Sequence, residues 1–336
     1  MDALCTHPNV GAVLLVSLGC EEFNRSRLFA TIQRSGRPVE VAVIQKLGGT
    51  RGTVEHGRAW VRATLAAIAD GPRAPVALAD LIVGTKCGGS DGTSVLTANP
   101  AIGRASDLMV DAGAAVMFEE LGELFGCEQH MAGRATTPAV GEAILSAMAK
   151  SRHYYGSMDH GSFGGGNISG GLSTVEEKSI GAYTKSGTRP IVGLLRPGVR
   201  PTAPGLYLMD MIPDGPVRWG YPNINDTTEV VEMIACGAHV VLFSTGCGSV
   251  VGSAIAPVVK VCSNPETYRR MAGDMDVDAG RILEACGTLD EVGAEIVAAV
   301  ESVAHGRPTK SEALGHQEFV LGYKHFEPLG PACFPG

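Results

Sequence analysis

Aromatic residues are scarce in this sequence, 5% Phe, Trp and Tyr together against 45% hydrophobic residues overall. A core must then be filled by Val, Ile, Leu and Ala, and 45 glycines supply many positions for tight turns. Nowhere is there an uninterrupted apolar run of about 18 residues, the length that spans a bilayer. The opening residues, MDALCTHPN, have neither the basic nor the apolar segment of a secretory signal. A membrane protein is therefore not expected, and the expected compartment is the cytoplasm. The formal charge of −8 is spread along the chain without a Lys/Arg cluster, so the phosphate-contacting patch of a nucleic-acid binder is missing. Nine cysteines include no C-x-x-C pair, which fits reduced thiols better than a disulfide framework. Nor does a G-x-G-x-x-G follow the first predicted strand with an acidic residue about 20 positions on, which argues against a nicotinamide dehydrogenase.

At 336 residues the chain is long enough for one large or two medium α/β domains. Short apolar runs at 10–17, 39–45, 79–85 and 113–118 predict strands, and longer segments at 22–35, 53–70, 100–112 and 137–150 predict helices. A glycine-rich, polar stretch at 151–172 breaks this rhythm and reads as an interdomain or active-site loop. Strands follow at 189–194, 205–209 and 238–243, with helices near 172–185, 226–236 and 287–304; DTTE at Asp226 to Glu229 is a capped helix start. The alternation predicts an α/β protein of two Rossmann-like halves, residues 1–165 and 166–336, with mostly parallel sheets and helices on both faces.

Three predicted strands end alike: VLLVSLGCEE at Cys20, LIVGTKCGGSD at Cys87 and VVLFSTGCGS at Cys247. Ligands of parallel α/β sheets sit outside the carboxyl ends of strands, so these endings are candidates for one crevice. The plainer alternative is tight βα turns with cysteines packed as small hydrophobes.

The block KCGGSDGTSVLTANPAIGRASDLMVDAGAAVMFEELGEL, Lys86 to Leu124, resembles the central signature of the altronate/galactarate dehydratase family. Further segments agree in the same order: HPN at His7, LGCE at Leu18, QKLGGT at Gln45, GNISGGLSTVEEKSIG at Gly166, KSG at Lys185, then PVVKV and DVDAGRI. The resemblance covers nearly the whole chain. It implies dehydration of altronate or galactarate to a 2-keto-3-deoxy acid with a divalent metal, usually iron(II), with manganese and zinc as alternatives. A related branch resembles (2R)-sulfolactate sulfo-lyase, which expels sulfite, and EALGHQEFVL near the end is similar to that branch. Full-length relatives carry a small N-terminal SAF domain and a segment upstream of HPN. The resemblance therefore implies a SAF-domain small subunit or an upstream region as partner, and a homo-oligomer. The chain departs from the hexarate enzymes in reading STGCG at Ser244 to Gly248 where they read TTGRG, and in the GLYLMDMIPD segment.

Taking a proton from the carbon beside a carboxylate creates a dianion that a metal or cationic donors must stabilise, together with a general base and a general acid. For the acid and base, His130, Lys178 and Lys86 are candidates; a surface histidine and a solvated Glu176–Lys178 helix face are the bland alternatives. Strand-end Cys20 and Cys87 are favoured as metal ligands because thiolates suit iron(II), with Glu21, Glu128, Asp91 and His130 as oxygen and nitrogen options; spacing singles out no set. Gly88, Gly89, Ser90, Asp91, Thr93 and Ser94 offer N–H groups and hydroxyls to a substrate, unless Asp91 and Ser94 merely cap a turn. Asn167, on a glycine-rich lid or hinge, and Thr245 and Gly246 are further substrate contacts. Glu119, Glu120 and Glu123 either touch the metal or favourably load a helix N-terminus. The GDMDVDAG aspartates lack the later bidentate Glu of a calcium loop.

Overall fold

The computed structural model describes residues 1–21, 23–71, 73–157, 163, 165–214 and 225–321. The chain forms two compact units that divide between Pro75 and Val76. In the first, α1 (Asp2–Cys5), β1 (Val13–Ser17), α2 (Arg25–Arg34), β2 (Val39–Val43) and α3 (Gly49–Ile68) succeed one another. β1 and β2 pair in parallel, Val13 opposite Val39 through Ser17 opposite Val43. The Asn24 side chain accepts from the Arg27 N–H and so fixes the start of α2. Leu28 and Ile32 of α2 are buried, four apart on one helical face.

The second unit opens with β3 (Ile82–Cys87), α4 (Ala98–Asp111), β4 (Ala115–Phe118), α5 (Glu128–Gly133), α6 (Pro138–Ser157), α7 (Gly165–Ser169) and α8 (Val175–Thr184). It continues through β5 (Ile191–Leu195), β6 (Gly205–Met209), α9 (Asp226–Ala235), β7 (Val240–Thr245) and β8 (Val258–Cys262). α10 (Pro265–Arg270), β9 (Val277–Asp278), α11 (Leu289–Ala304) and α12 (Lys310–Leu314) complete it. Its seven strands form one sheet in the order β5-β6-β4-β3-β7-β8-β9, every pairing parallel. β4, β6, β7 and β8 are buried at every position, as strands covered on both faces must be, which is why they read as unbroken apolar runs.

Two contacts fix the covering layers. Met233 of α9 presses on Gly84, where a Cβ would stand 2.8 Å from its sulfur, whereas Ser244, opposite Cys87 across the β3–β7 ladder, donates to Asn99 of α4 at 2.7 Å. Alternation along a strand puts Gly84 and Cys87 on opposite faces, so α9 and α4 cover opposite faces too. From β3 the chain steps to β4 on one side, and after returning at β7 it steps to β8 on the other. The carboxyl ends of β3 and β7 therefore form the point where winding reverses, the usual place for a ligand in such a sheet.

The α/β class and the parallel sheet agree with the sequence reading, and the division near residue 165 does not. Strands from before and after that residue pair directly, β4 with β6 and β3 with β7, so the two expected halves are one sheet and the boundary lies at 75/76. The 151–172 segment is less of a loop than expected: α6 runs on to Ser157 and α7 starts at Gly165, while residues 158–162 and 164 lie outside the described residues. Among the described residues no helix is long and apolar enough to cross a membrane.

α4 approaches the turn after α8 so closely that a Cβ at Gly103 would stand 2.1 Å from the Thr184 carbonyl. That carbonyl and the Gly187 nitrogen, 3.0 Å from the same Cβ, are backbone and cannot yield as a flexible side chain would. Gly103→Ala should therefore cost about 1–3 kcal/mol, seen in calorimetry as a melting temperature lower by about 2–4 °C per kcal/mol.

Candidate active site

At the reversal point, β3 delivers Lys86 and Cys87, and the residues just past β4 deliver Glu119 and Glu120. Glu120 holds a left-handed backbone, φ 88°, a conformation costly for a residue with a Cβ and typical of functional sites. Both of these glutamates are buried in consequence. The Lys86 ammonium lies 2.6 Å from Glu229 of α9, 3.1 Å from Glu120, 3.3 Å from Glu119 and 3.5 Å from Asp226. Lys185, just past α8 and fully buried, donates to the other oxygen of Glu120. The Cys87 N–H adds a third donor to Glu120, at 2.6 Å.

Beside this cluster a ring of contacts closes on itself. The Cys87 thiol donates to Glu123 at 3.3 Å, whose other oxygen lies 2.9 Å from Lys178. Lys178 donates to Asn167 at 3.2 Å, Asn167 to the Ser90 carbonyl at 3.3 Å, and the Ser90 hydroxyl to the Cys87 sulfur at 3.2 Å. The glycine-rich segment reaches β3 because Gly92 N–H donates to the Gly170 carbonyl at 2.9 Å, with a Cβ at Gly170 standing only 3.0 Å from Asp91.

Burial alone would neutralise every group in this cluster, so its charge pattern reports which partners win. Burial and the neighbouring Glu229 push Glu119 well above the ordinary carboxylate range, and burial raises Glu229 as well. Against burial, Lys185 and Lys86 together hold Glu120 down to about 2. Lys86 is likewise held charged despite its burial, by Glu119, Glu120 and Glu229. Burial and then Glu120 and Glu123 raise the Cys87 thiol, which stays protonated unless a cation joins it.

Cys87, Glu120 and Glu123 bring ligand atoms within 4.8 Å of one another. The three lysines 86, 178 and 185 face the four glutamates 119, 120, 123 and 229. One thiolate with carboxylates is a donor set suited to a transition metal.

Of the residues singled out in the sequence, Lys86, Cys87, Ser90, Asn167 and Lys178 come together here. Gly88 adjoins them, since a Cβ there would stand 2.3 Å from Asp226. Gly89 takes φ +62°, and its carbonyl accepts the N–H groups of Gly246 and Cys247 at 3.1 and 2.9 Å, joining the β3 and β7 endings. Asp91, Thr93 and Ser94 face inward instead. One Asp91 oxygen accepts from the Thr93 and Ser94 N–H groups and both their hydroxyls at 2.6–3.1 Å, and from Ser263 at 3.2 Å. Its other oxygen accepts from Asn264 at 3.0 Å. Gly246 presses on the same carboxylate, with 2.1 Å between a built Cβ and Asp91, and Thr245 accepts from the Gly248 N–H at 3.1 Å. The loop read as a substrate cradle is thus built around its own anion.

The remaining candidates have partners of their own. His130 is exposed on α5 beside the Tyr183 ring, 6.3 Å between centroids. Glu128 accepts from the Gly126 N–H at 2.9 Å and from Arg152 at 2.6 Å. Cys20 and Glu21 belong to the first unit, where Glu21 accepts from the Gly19 N–H at 2.7 Å and from Ser17, and where Gln45 donates to Cys20 at 3.7 Å. Cys247 is exposed. Lys185 and Glu229 escaped the sequence reading altogether, one inside the short KSG motif and the other inside a capping sequence. The usable signal was FEELGEL, three glutamates directly after an apolar strand.

Residues 78–326 match the model of the D-galactarate/altronate dehydratase C-terminal domain, and residues 1–69 that of the D-galactarate dehydratase/altronate hydrolase second domain. The chain belongs to the galactarate/altronate dehydratase family. Within this family it is 35% identical over 323 residues to the (2R)-sulfolactate sulfo-lyase subunit beta of Chromohalobacter salexigens, covering 94% of the chain and 79% of that protein. It is 34% identical to the galactarate dehydratase (L-threo-forming) of Escherichia coli over 90% of the chain and 57% of that enzyme, and 30% identical to the altronate dehydratase of the same organism over 96% and 62%. The chain thus spans less than two thirds of the length of these two dehydratases. The two family domains meet where the two structural units divide.

Removing the Lys185 ammonium strands Glu120 against its remaining donors. Lys185→Met should cost about 3–5 kcal/mol in urea denaturation at pH 7. The lowered carboxyl of Glu120 adds stability that is complete above its ordinary value of 4.5 and fades as the pH falls toward 2. Wild-type protein should therefore lose stability more steeply than Lys185→Met across that acid window.

Proposed function

We propose that this chain is a metal-dependent lyase that eliminates water from a sugar acid of the altronate or galactarate type, yielding a 2-keto-3-deoxy acid. The observation that carries the reading is the buried lysine–glutamate cluster around Cys87, set at the reversal point of the sheet. Such a cluster is costly to bury and useful where negative charge develops on a bound acid.

Lys86 and Lys185 supply positive potential where the substrate carboxylate gains charge as its α-proton leaves. Asp226, 43% exposed at its side chain and 3.5 Å from Lys86, is the open carboxylate of the group and takes that proton. Lys178, whose side chain is 7% exposed, lies at the other rim and protonates the departing hydroxyl. Cys87, Glu120 and Glu123 would hold the divalent cation, iron(II) by family resemblance or else manganese or zinc, which supplies Lewis-acid withdrawal of charge from the substrate oxygens. Proton and hydroxyl together leave as water, and the resulting enol tautomerises to the ketone.

A second reading is supported by the Chromohalobacter relative, which is matched over more of its length than the dehydratases. There sulfite, rather than hydroxide, leaves the carbon next to the one that loses its proton, as part of a subunit assembly. In either case the chain works with a companion polypeptide of the SAF-domain type, in a homo-oligomer, in the cytoplasm; that a relative is called subunit beta supports the companion.

The two readings separate in one assay. Anaerobically purified protein with iron(II), alone and with its companion, is incubated with altronate, galactarate and sulfolactate, and 2-keto-3-deoxy acid and sulfite are measured. Release of sulfite alone selects the second reading, and turnover of none of the three sinks both. Asp226→Asn should lower kcat about 100-fold or more, and Cys87→Ser should lose bound metal in elemental analysis.

A further inference from the structure

Beyond the end of β7, residues 246–257 cross to β8 with Gly246, Gly252, Ser253 and Ala256 buried, and the backbone groups buried there need partners that no regular element supplies. Gly252 is buried. Its N–H donates to the Glu318 carboxylate at 2.8 Å. The Val251 carbonyl accepts from the Ser311 hydroxyl at 3.2 Å, and the Ser249 carbonyl from the Lys260 ammonium at 3.1 Å. That ammonium also donates to His316 at 3.4 Å. Three residues of this crossing, Ser249, Val251 and Gly252, are thus held by Lys260 of β8 and by the segment Thr309–Glu318.

The segment is itself anchored. Thr309 caps α12 in a reciprocal box with Glu312, and the Lys310 N–H donates to Asp276 at 2.9 Å while the other Asp276 oxygen accepts the Lys260 N–H at 2.8 Å. One aspartate from the discounted GDMDVDAG stretch therefore ties β8 to the start of α12. Space agrees with bonding, because a Cβ at Gly252 would stand 2.5 Å from the His316 carbonyl. Lys260 is fully buried and its ammonium is turned toward a backbone carbonyl and an imidazole nitrogen, a costly placement that a purely packing role does not require.

We propose that Thr309–Glu318 is a clasp that sets the conformation of the β7–β8 crossing, with Glu318 and Lys260 as positioning residues for the site at the end of β3. The route is short. Gly246 and Cys247, at the head of the crossing, donate to the Gly89 carbonyl, and Gly89 is two residues from Cys87. The clasp stands whether the substrate is a sugar acid, sulfolactate or neither, because it concerns backbone order rather than turnover.

Amide hydrogen exchange on the full chain tests it. In the unmodified protein the Gly252 amide should be protected, and exchange of 248–253 at the rate of an unstructured peptide overturns the clasp without any variant. In Glu318→Ala, exchange across 246–253 should rise about ten-fold, the scale of one lost buried hydrogen bond, and 88–92 should follow, while β3, β7 and β8 stay protected. Gly252→Ala should give the same pattern by steric expulsion, and Glu318→Gln, which keeps an acceptor oxygen, should restore protection. Loosening confined to 309–318, with 246–253 and 88–92 unchanged, would show a segment that only decorates the surface and would refute the proposal.

Discussion

Everything at the candidate site depends on one requirement: Glu120 must stay ionised inside the protein. Three donors converge on it, the Lys86 and Lys185 ammonium groups and the Cys87 N–H, two from the end of β3 and one from the residue after α8. Because a buried charge without partners is far costlier than a lost contact, these three donors must arrive together or the region does not form. Glu120 in turn needs a left-handed backbone to point inward, so strain, charge and fold are settled by the same residue. Lys185 also explains the tight seam behind it, where Gly103 and Gly187 let α4 and the turn after α8 meet backbone to backbone.

The LGCE and QKLGGT loops of the first unit meet at the carboxyl ends of β1 and β2, where Gln45 reaches Cys20, and Glu21 locks its own loop through Gly19 and Ser17. The thiol and carboxylate that looked most like ligands from sequence are thus in part a small structural lock. The glutamates that read as ordinary helix loading are the ones gathered around Cys87.

Much of the fold was legible because hydrophobic period and caps speak locally. The strands at 39–43, 115–118, 191–195, 205–209 and 240–245 and the helices at 98–111, 226–235 and 289–304 all lie within a few residues of where the apolar runs placed them, and DTTE does open the helix at 226. What could not be read was strand order. A pause such as 151–172 looks like a domain boundary in one dimension, but parallel strands pair across any length of intervening chain, and β4 finds β6 beyond it. The site was half legible for a related reason: Cys87 and Lys86 advertise themselves at a strand end, whereas Lys185 and Glu229 acquire meaning only through neighbours distant in sequence. Ser94 and Thr93 misled because hydroxyls after a strand look alike whether they face a guest or a residue of the same loop.

That inward-facing turn carries a last consequence. A cup of N–H groups and hydroxyls is ordinarily a trap for stray phosphate or sulfate, and here the seat is already filled by Asp91 through a covalent tether that no free ion can outcompete. The turn beside the lysine–glutamate cluster is therefore no sink for the abundant inorganic anions of a cell, and a free anion arriving there finds its donors already engaged.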